Sequence, residues 1–282
     1  MRYSSIYQNK ATAGRLICPV CGCGLEYNGE CSLICKGGRH TFDISAKGHV
    51  NLALGHSGGG DPKEAVRSRS EFLRKDYYLP FASEVCRVLS EYMGEGAETV
   101  VDAGCGEGYY TEMIAEKCSV GVVGFDLSKA AVESAAGRAV RNGREDLLFS
   151  VAGIYEMPIA DGCADAVVNL FAPCAEKEFL RVLKKGGVLL VAGAGENHLY
   201  GLKKRIYDTP YKNEPRGDLP TDMKHVFHTT VRFDLLLESE ADKQALFSMT
   251  PYYYRTSKEN AERLIGAPLE TEAEFDIDVY VK

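Results

Sequence analysis

The stretch Thr99-Val-Val-Asp-Ala-Gly-Cys-Gly-Glu-Gly108 decides the fold. Its first five residues, Thr-Val-Val-Asp-Ala, read as a Val-rich strand with the acid Asp102 next to its end. Glycines then fall at alternate positions, 104, 106 and 108, and YYTEMIAEKC (109–118) follows with helical character. A strand turning through glycines straight into a helix opens a βαβ unit. Glycine lets such a bend turn sharply and approach a ligand with no Cβ in the way.

Working outward toward the C-terminus, strand and helix keep alternating. VGVVGFDLS (120–128) reads as a second strand and KAAVESAAGRAVRNG (129–143) as a second helix. DLLFSVAG (146–153), DAVVNLFAP (165–173) and GVLLVAGAG (187–195) supply three more strands, with EKEFLRVLKK (176–185) as the helix before the last. This alternation predicts an α/β fold with a mostly parallel, doubly wound sheet. After His198 the rhythm breaks. Residues 198–226 are polar and carry Lys203, Lys204, Arg205, Lys212, Arg216 and Lys224. A strand over 227–238, helices over 240–250 and 258–266, and a last strand over 275–282 complete the reading.

The chemistry of the bend points to one kind of ligand. Asp126 closes the second strand, 22 residues beyond Gly104, where an acid accepts the hydroxyls of a ribose. Dinucleotide sites carry G-x-G-x-x-G, whereas here the spacing is G-x-G-x-G after the acid Asp102. A carboxylate there repels a pyrophosphate and suits an ammonium and a sulfonium. The expected cofactor is therefore S-adenosylmethionine, held by Asp102, Gly104, Gly106 and Asp126 within a Rossmann-like domain, with Glu107 in the same bend. Glu107 also has a purely structural reading, as an acid opposite a helix dipole.

Toward the N-terminus the composition changes. The chain holds ten cysteines in 282 residues, and five of them lie between Cys18 and Cys35. No apolar leader precedes them, so a reducing, cytoplasmic setting is expected, with clustered thiols acting as metal ligands rather than disulfides. No run is long enough to span a membrane. Cys18-Pro-Val-Cys21 bites one ion, and Cys35 with His40 closes a tetrahedral, structural zinc site. Cys23 and Cys31 are near enough to compete for places in it. His49 and His56 read as surface or linker histidines, and the isolated cysteines as small buried groups. GHSGGGDP (55–62) is a linker. Residues 64–93 return to helical patterning, with Phe72, Leu73, Phe81, Val85, Val88 and Leu89 as buried positions and Pro80 separating two helices.

Net charge is −7, which disfavours a nucleic-acid partner, yet residues 1–80 hold 11 basic against 7 acidic side chains. A basic N-terminal unit able to touch phosphate is thus joined to an acidic body.

The motifs together resemble one family. CPVC, C-K-G-G-R-H-T-F-D, G-H-V-N-L, R-S-E-F-L, Y-Y-L-P-F, V-D-A-G-C-G-E-G-Y-Y-T, G-F-D-L-S-K, F-A-P-C, L-K-K-G-G and M-T-P-Y-Y-Y-R are similar to segments of bacterial 23S ribosomal RNA guanine-N1 methyltransferases. That resemblance implies zinc at Cys18, Cys21, Cys35 and His40, although the gap from Cys35 to His40 is one residue longer than usual, an insertion that Gly37-Gly38 can absorb. It implies cofactor contacts at Tyr78, Gly106, Glu107, Asp126 and His198, and 23S rRNA as partner. A homodimer is compatible with it, and some relatives protect ribosomes from macrolides. It divides the chain into a zinc-binding RNA-recognition module (1–56), a linker and helical lid (57–93) and a methyltransferase domain (94–282). Asn169, or the carbonyls of Phe171-Ala172-Pro173, are the expected holders of the guanine edge. Arg67, Arg69, Arg74, Lys75 and the basic 203–224 segment are the expected RNA contacts, with Tyr252, Tyr253 and Tyr254 for stacking. Two rivals stand beside this reading: a methyltransferase of a small metabolite or lipid, and a non-catalytic zinc-ribbon adaptor. Removing residues 1–60 is expected to abolish RNA recognition while sparing cofactor binding.

Overall fold

The computed structural model describes residues 3–55 and 60–282. His56 lies outside the described residues. The chain opens with a short helix α1 (Ser4–Gln8) and a three-stranded antiparallel sheet of β1 (Leu25–Tyr27), β2 (Ser32–Cys35) and β3 (Thr41–Asp43). β4 (Val50–Asn51) then leaves this small sheet and pairs in parallel with β7 (Leu147–Val151), at the edge of the large one. The N-terminal segment is therefore stitched into the main sheet.

Two helices follow, α2 (Lys63–Leu73) and α3 (Leu79–Met93). Pro80 sits in the first turn of α3, where a missing N–H costs nothing. The βα units come next: β5 (Thr99–Ala103), α4 (Tyr109–Cys118), β6 (Gly121–Asp126), α5 (Lys129–Arg141), β7, β8 (Ala164–Leu170), α6 (Glu176–Val182) and β9 (Leu183–Ala194). α7 (Tyr200–Ile206), β10 (Lys224–Leu237), α8 (Glu240–Ser248), α9 (Lys258–Glu262) and β11 (Leu269–Val281) complete the chain. The large sheet has the order β10-β11-β9-β8-β5-β6-β7-β4. β11 runs antiparallel to β9 and β10, and the remaining pairs are parallel.

Both faces of this sheet are buried. Along the strands, Val100, Val122, Leu147, Val168 and Leu190 face one apolar layer, and their neighbours Val101, Val123, Leu148, Val167 and Leu189 face the other. The first layer is closed by α2 to α5, with Phe72, Leu73, Phe81, Val85, Val88 and Leu89 all buried as their periodicity required. The second takes Tyr3, Ile6, Tyr7, Leu16 and Cys18 from the N-terminal segment. His49, expected at the surface, is buried beneath this layer with its Nδ1 2.7 Å from Ser45 Oγ. The Leu183-Lys184-Lys185 end of the helix anticipated over 176–185 is strand instead. β9 begins at Leu183 and turns at Gly186 with φ +76°.

The sheet's order reverses between β5 and β8, which carry the chain away in opposite directions. Ligands bind in the crevice that such a reversal leaves at the carboxyl ends of the strands.

Candidate active site and metal centre

A cavity of 710 Å³ opens at that reversal. Its floor is the glycine bend. Gly104 has φ +94°, and a Cβ there would lie 2.7 Å from Ala172 Cβ. Gly108 has φ +86° and a Cβ on it would press into Ala135 at 2.8 Å and Phe149 at 3.1 Å. One glycine therefore keeps the cavity open toward the β8 end. The other lets α4 start against the sheet.

Four acids ring the bend, each held differently. Asp102 is buried and accepts a 2.6 Å hydrogen bond from Thr111 Oγ1. Burial pushes its carboxyl up to about 7, against the pull of Thr111. Asp126 accepts from Gly106 N at 2.9 Å and from Ser128 N at 2.7 Å, one bond on each oxygen. Among the described residues no further donor reaches it, which leaves one lone pair on each oxygen for two hydroxyls, the geometry of a ribose clamp. Desolvation pushes Asp126 upward, opposed by those two backbone bonds. Glu107 accepts from Tyr109 N at 3.1 Å and pairs with Arg138 at 2.8 Å. It lines the cavity, but its carboxylate serves the start of α4 and an arginine, as the structural reading of that acid requires. Asp61 pairs with Arg69 at 2.5 Å, and its carbonyl accepts from Ser128 Oγ at 2.9 Å. This ties the chain just before α2 over the Asp126 end of the cavity.

The opposite wall is aromatic. Tyr78 is 3% exposed and stands edge-on to Phe72, Phe275 and His198. His198 follows β9, its ring 4.5 Å from that of Phe275. Its Nδ1 accepts from Glu274 N at 3.2 Å, which places the proton of the neutral ring on Nε2. Burial drives its pKa down to about 3, so the imidazole is a neutral donor at physiological pH. Phe171 adds a third element. It holds φ +57°, a left-handed conformation costly for a residue with a Cβ, and remains 48% exposed in the cavity wall.

Asn169 lies behind this wall rather than in it. It is fully buried; its Nδ2 donates to Ala103 O and Pro173 O, and its Oδ1 accepts from Arg216 Nη2. All the hydrogens and an acceptor site of its amide are taken, so its direct contact with a substrate gives way to a bracing role between β5 and the loop after β8. Of the three carbonyls beside it, Ala172 O accepts from Arg216 and Pro173 O from Asn169, which leaves that of Phe171.

The segment between α7 and β10 has no regular structure and crosses the cavity's rim as a strap. Asn213 anchors it. Asn213 N donates to Glu196 O, its Nδ2 to Gly195 O, and its Oδ1 accepts from Lys203 Nζ at 2.6 Å and Tyr252 Oη at 3.1 Å. Lys203 is fully buried, with Tyr211 and Tyr252 rings 4.5 and 5.1 Å from its ammonium. Further along, Arg216 ties the strap to Ala172 O at 2.6 Å and pairs with Asp218 at 2.5 Å. The basic 203–224 segment is thus largely structural. Lys203 and Arg216 are consumed internally, Arg205 donates to Arg263 O, Ala267 O and Pro268 O, and Lys212 pairs with Glu196. The four cations expected as RNA contacts in α2 and the turn after it are likewise paired: Arg67 with Glu71, Arg69 with Asp61, Arg74 with Glu112, and Lys75 with Asp242. Tyr252 is buried in the cavity wall, while Tyr253 and Tyr254 are exposed. Asp61, Ser128, Asn213 and Glu214 line the cavity without any signal in the sequence, because irregular segments carry no periodicity to read.

The cysteine segment gathers a second site. Cys18, Cys21, Cys35 and His40 bring their ligand atoms within 4.8 Å of one another. Cys18 Sγ lies 3.4 Å from His40 Nδ1, and Cys21 Sγ 3.3 Å from Cys35 Sγ. A tetrahedral ion with metal–sulfur bonds near 2.3 Å needs ligand edges of about 3.8 Å, so the quartet fits one after a small expansion. Gly38, at φ +77°, turns the chain so that Cys35 N meets His40 O at 2.9 Å, and the longer gap closes there. Among the described residues Cys23 and Cys31 stand outside this quartet.

Comparison with known proteins agrees with this geometry. A family model described as a methyltransferase domain matches residues 95–259. A Micromonospora griseorubida protein provisionally named a 23S rRNA (guanine-N(1)-)-methyltransferase is 33% identical over 68% of this chain and 69% of its own length. A Bacillus subtilis protein with the same provisional name is 27% identical over 94% of this chain and 95% of its own. The 23S rRNA (guanine(748)-N(1))-methyltransferase of Streptomyces fradiae is 28% identical over 90% and 91%. With the glycine bend, the paired acids and the reversed sheet in place, the chain belongs to the methyltransferase-domain family, within its 23S rRNA (guanine-N1) branch.

Proposed function

We propose that this enzyme transfers a methyl group from S-adenosylmethionine to N1 of a guanine in a hairpin loop of 23S rRNA, in the cytoplasm. The observation that carries it is the bend itself, where Asp102 faces the cavity beneath Gly104 and Asp126 keeps one free lone pair on each oxygen. In this reading Asp126 holds the ribose, Asp102 pairs with the donor's ammonium, and the backbone of Gly104 and Gly106 lies against the nucleoside. Tyr78 and His198 close the aromatic side, His198 donating from Nε2. The bound donor supplies an electrophilic methyl on sulfur. The protein's task is to set the guanine in line with it at about 3 Å, where positioning provides most of the rate. Phe171, half exposed and conformationally strained, is placed to stack on an unpaired base. Asn169 keeps its place by bracing Phe171's loop rather than by touching the base.

Zinc at Cys18, Cys21, Cys35 and His40 pins the N-terminal knuckle, whose small sheet is too slight to fold on its own core. With four protein ligands it has no open position, so its role is structural. The rival substrates, small metabolites or lipids, offer no use for such a knuckle.

The test is direct. Purified protein, S-adenosylmethionine and a 23S rRNA hairpin fragment are incubated, and the RNA is analysed by nuclease digestion and mass spectrometry. One methyl on guanine is expected, at a position that halts reverse transcription because the Watson–Crick edge is blocked. Unmodified RNA, or a methyl on another atom, overturns the assignment.

A further inference from the structure

Methylation at guanine N1 leaves one task unassigned in the site above. The N1 position carries a proton near neutral pH, and some group must take it. The described cavity lining offers five carboxylates. Four are committed: Asp61 to Arg69, Asp102 to Thr111, Glu107 to Arg138 and Tyr109 N, and Asp126 to two backbone amides. His198 has its Nδ1 occupied by a donor and offers only a hydrogen. The fifth carboxylate is Glu214. It is exposed at the rim, and no hydrogen bond or ion pair to it exists among the described residues.

Its backbone, in contrast, is fixed. The preceding residue, Asn213, is held by four hydrogen bonds, one of them from the buried Lys203. Two residues on, Arg216 ties the strap to the loop after β8. A free carboxylate on an anchored backbone, facing a cavity, is otherwise an unused charge.

We propose that Glu214 is the catalytic base and the guanine-selecting group of this enzyme. This rests on the guanine-N1 activity proposed above. Guanine presents two parallel donors, N1–H and N2–H, on its Watson–Crick edge, and a carboxylate accepts both at once. Adenine has an acceptor at N1, and uracil a single donor between two acceptors, so neither satisfies the pair. Glu214 takes the N1 proton, and the negative charge left behind is shared by N1 and O6. The N1 electron pair then forms the new N–CH3 bond as the S–CH3 bond breaks, its electrons returning to sulfur as a neutral thioether. The protonated Glu214, held by no other side chain among the described residues, withdraws from N1 before the methyl arrives there and passes its proton to water.

The experiment compares wild type with Glu214→Gln on a hairpin RNA carrying guanine or inosine at the target position. Inosine keeps N1–H and lacks the N2 amino group. At saturating RNA and donor, Glu214→Gln is expected to lose at least about 100-fold in kcat, while calorimetric affinity for S-adenosylmethionine stays unchanged, which also reports a folded cavity. Inosine should slow the wild type and have no further effect on the variant. A variant with kcat near wild type, or an inosine penalty equal in both proteins, overturns the role of Glu214 and leaves the activity standing. A wild-type enzyme that leaves guanine N1 unmethylated overturns the activity and this inference with it.

Discussion

Replacing Asp102 with Asn tests the electrostatics of the bend. Asp102 is fully buried, and its carboxyl stays protonated up to about pH 7, whereas an unfolded aspartate ionises near 3.8. A raised folded pKa favours the native state fully below the unfolded value, and that advantage is lost as pH rises through the folded one. Between those limits the unfolded chain releases a proton that the native chain keeps. The window spans about three pH units, and at 1.36 kcal/mol per unit it amounts to about 4 kcal/mol of stability lost by neutral pH. Asn cannot titrate, and its oxygen still accepts the hydrogen bond from Thr111 Oγ1. The stability of Asp102→Asn relative to wild type should therefore climb by about 1.4 kcal/mol per unit from about pH 4 to about pH 7, then level off. His198 has the opposite dependence, its neutral buried form losing ground as pH falls below the ordinary histidine range, but it is common to both proteins and cancels in the difference. Urea unfolding of the two proteins, without ligand, across this range measures the slope. On the proposed contact with the donor's ammonium, the same ionisation governs binding, because an ammonium beside Asp102 selects the carboxylate. Wild-type affinity for S-adenosylmethionine should rise with pH up to about 7, and the Asn variant should bind weakly at every pH. A stability difference that does not change with pH refutes the reasoning, since it places Asp102 in contact with water.

Gly104→Ala forces a Cβ to 2.7 Å from Ala172 and a side chain into φ +94°; a loss of about 1–3 kcal/mol, read as a lower unfolding midpoint, should accompany the disappearance of calorimetric binding of the methyl donor. Cys18→Ser removes one corner of the quartet formed with Cys21, Cys35 and His40. Metal analysis of purified protein should fall from one zinc per chain to a small fraction of that, and a chelator that lowers the wild-type unfolding midpoint should leave the variant's nearly unmoved.

Much of this was legible because it is local. The βα alternation, the glycine bend and the acid at Asp126 sit on consecutive elements, and each leaves its period or spacing in the chain. The metal quartet was legible for the same reason, since a C-x-x-C turn needs little context. What escaped notice is tertiary. Lys203 reads as a surface cation because lysine almost always is one, yet two tyrosines and an asparagine give it a buried place. Asn169 reads as a substrate contact because it ends a strand at the cleft, and only the partners around it show a brace. The strap carrying Glu214 has no periodicity at all, so nothing but its hydrogen bonds marks it as part of the site.

The same distinction decides how the N-terminal segment is to be probed. Its composition suggests a detachable module, and removal of residues 1–60 looks like a clean way to separate RNA recognition from cofactor binding. The packing argues otherwise. Tyr3, Ile6, Tyr7, Leu16, Val50 and Leu52 share one apolar cluster with Val101, Phe125 and Phe179 of the central sheet and α6, and β4 completes the edge beside β7. Each fully buried side chain of this kind contributes about 1.5–3 kcal/mol, so cutting at residue 60 strips several such contributions from a domain whose whole stability is about 5–15 kcal/mol. Asp61, the acid that holds Arg69 over the cavity, would become the first residue of the truncated chain. A truncated chain that lost the methyl donor would therefore say nothing about RNA. Substitutions confined to the exposed Lys36 and Arg39 on the knuckle leave that shared core intact, and these can test the proposed contact of the knuckle with RNA.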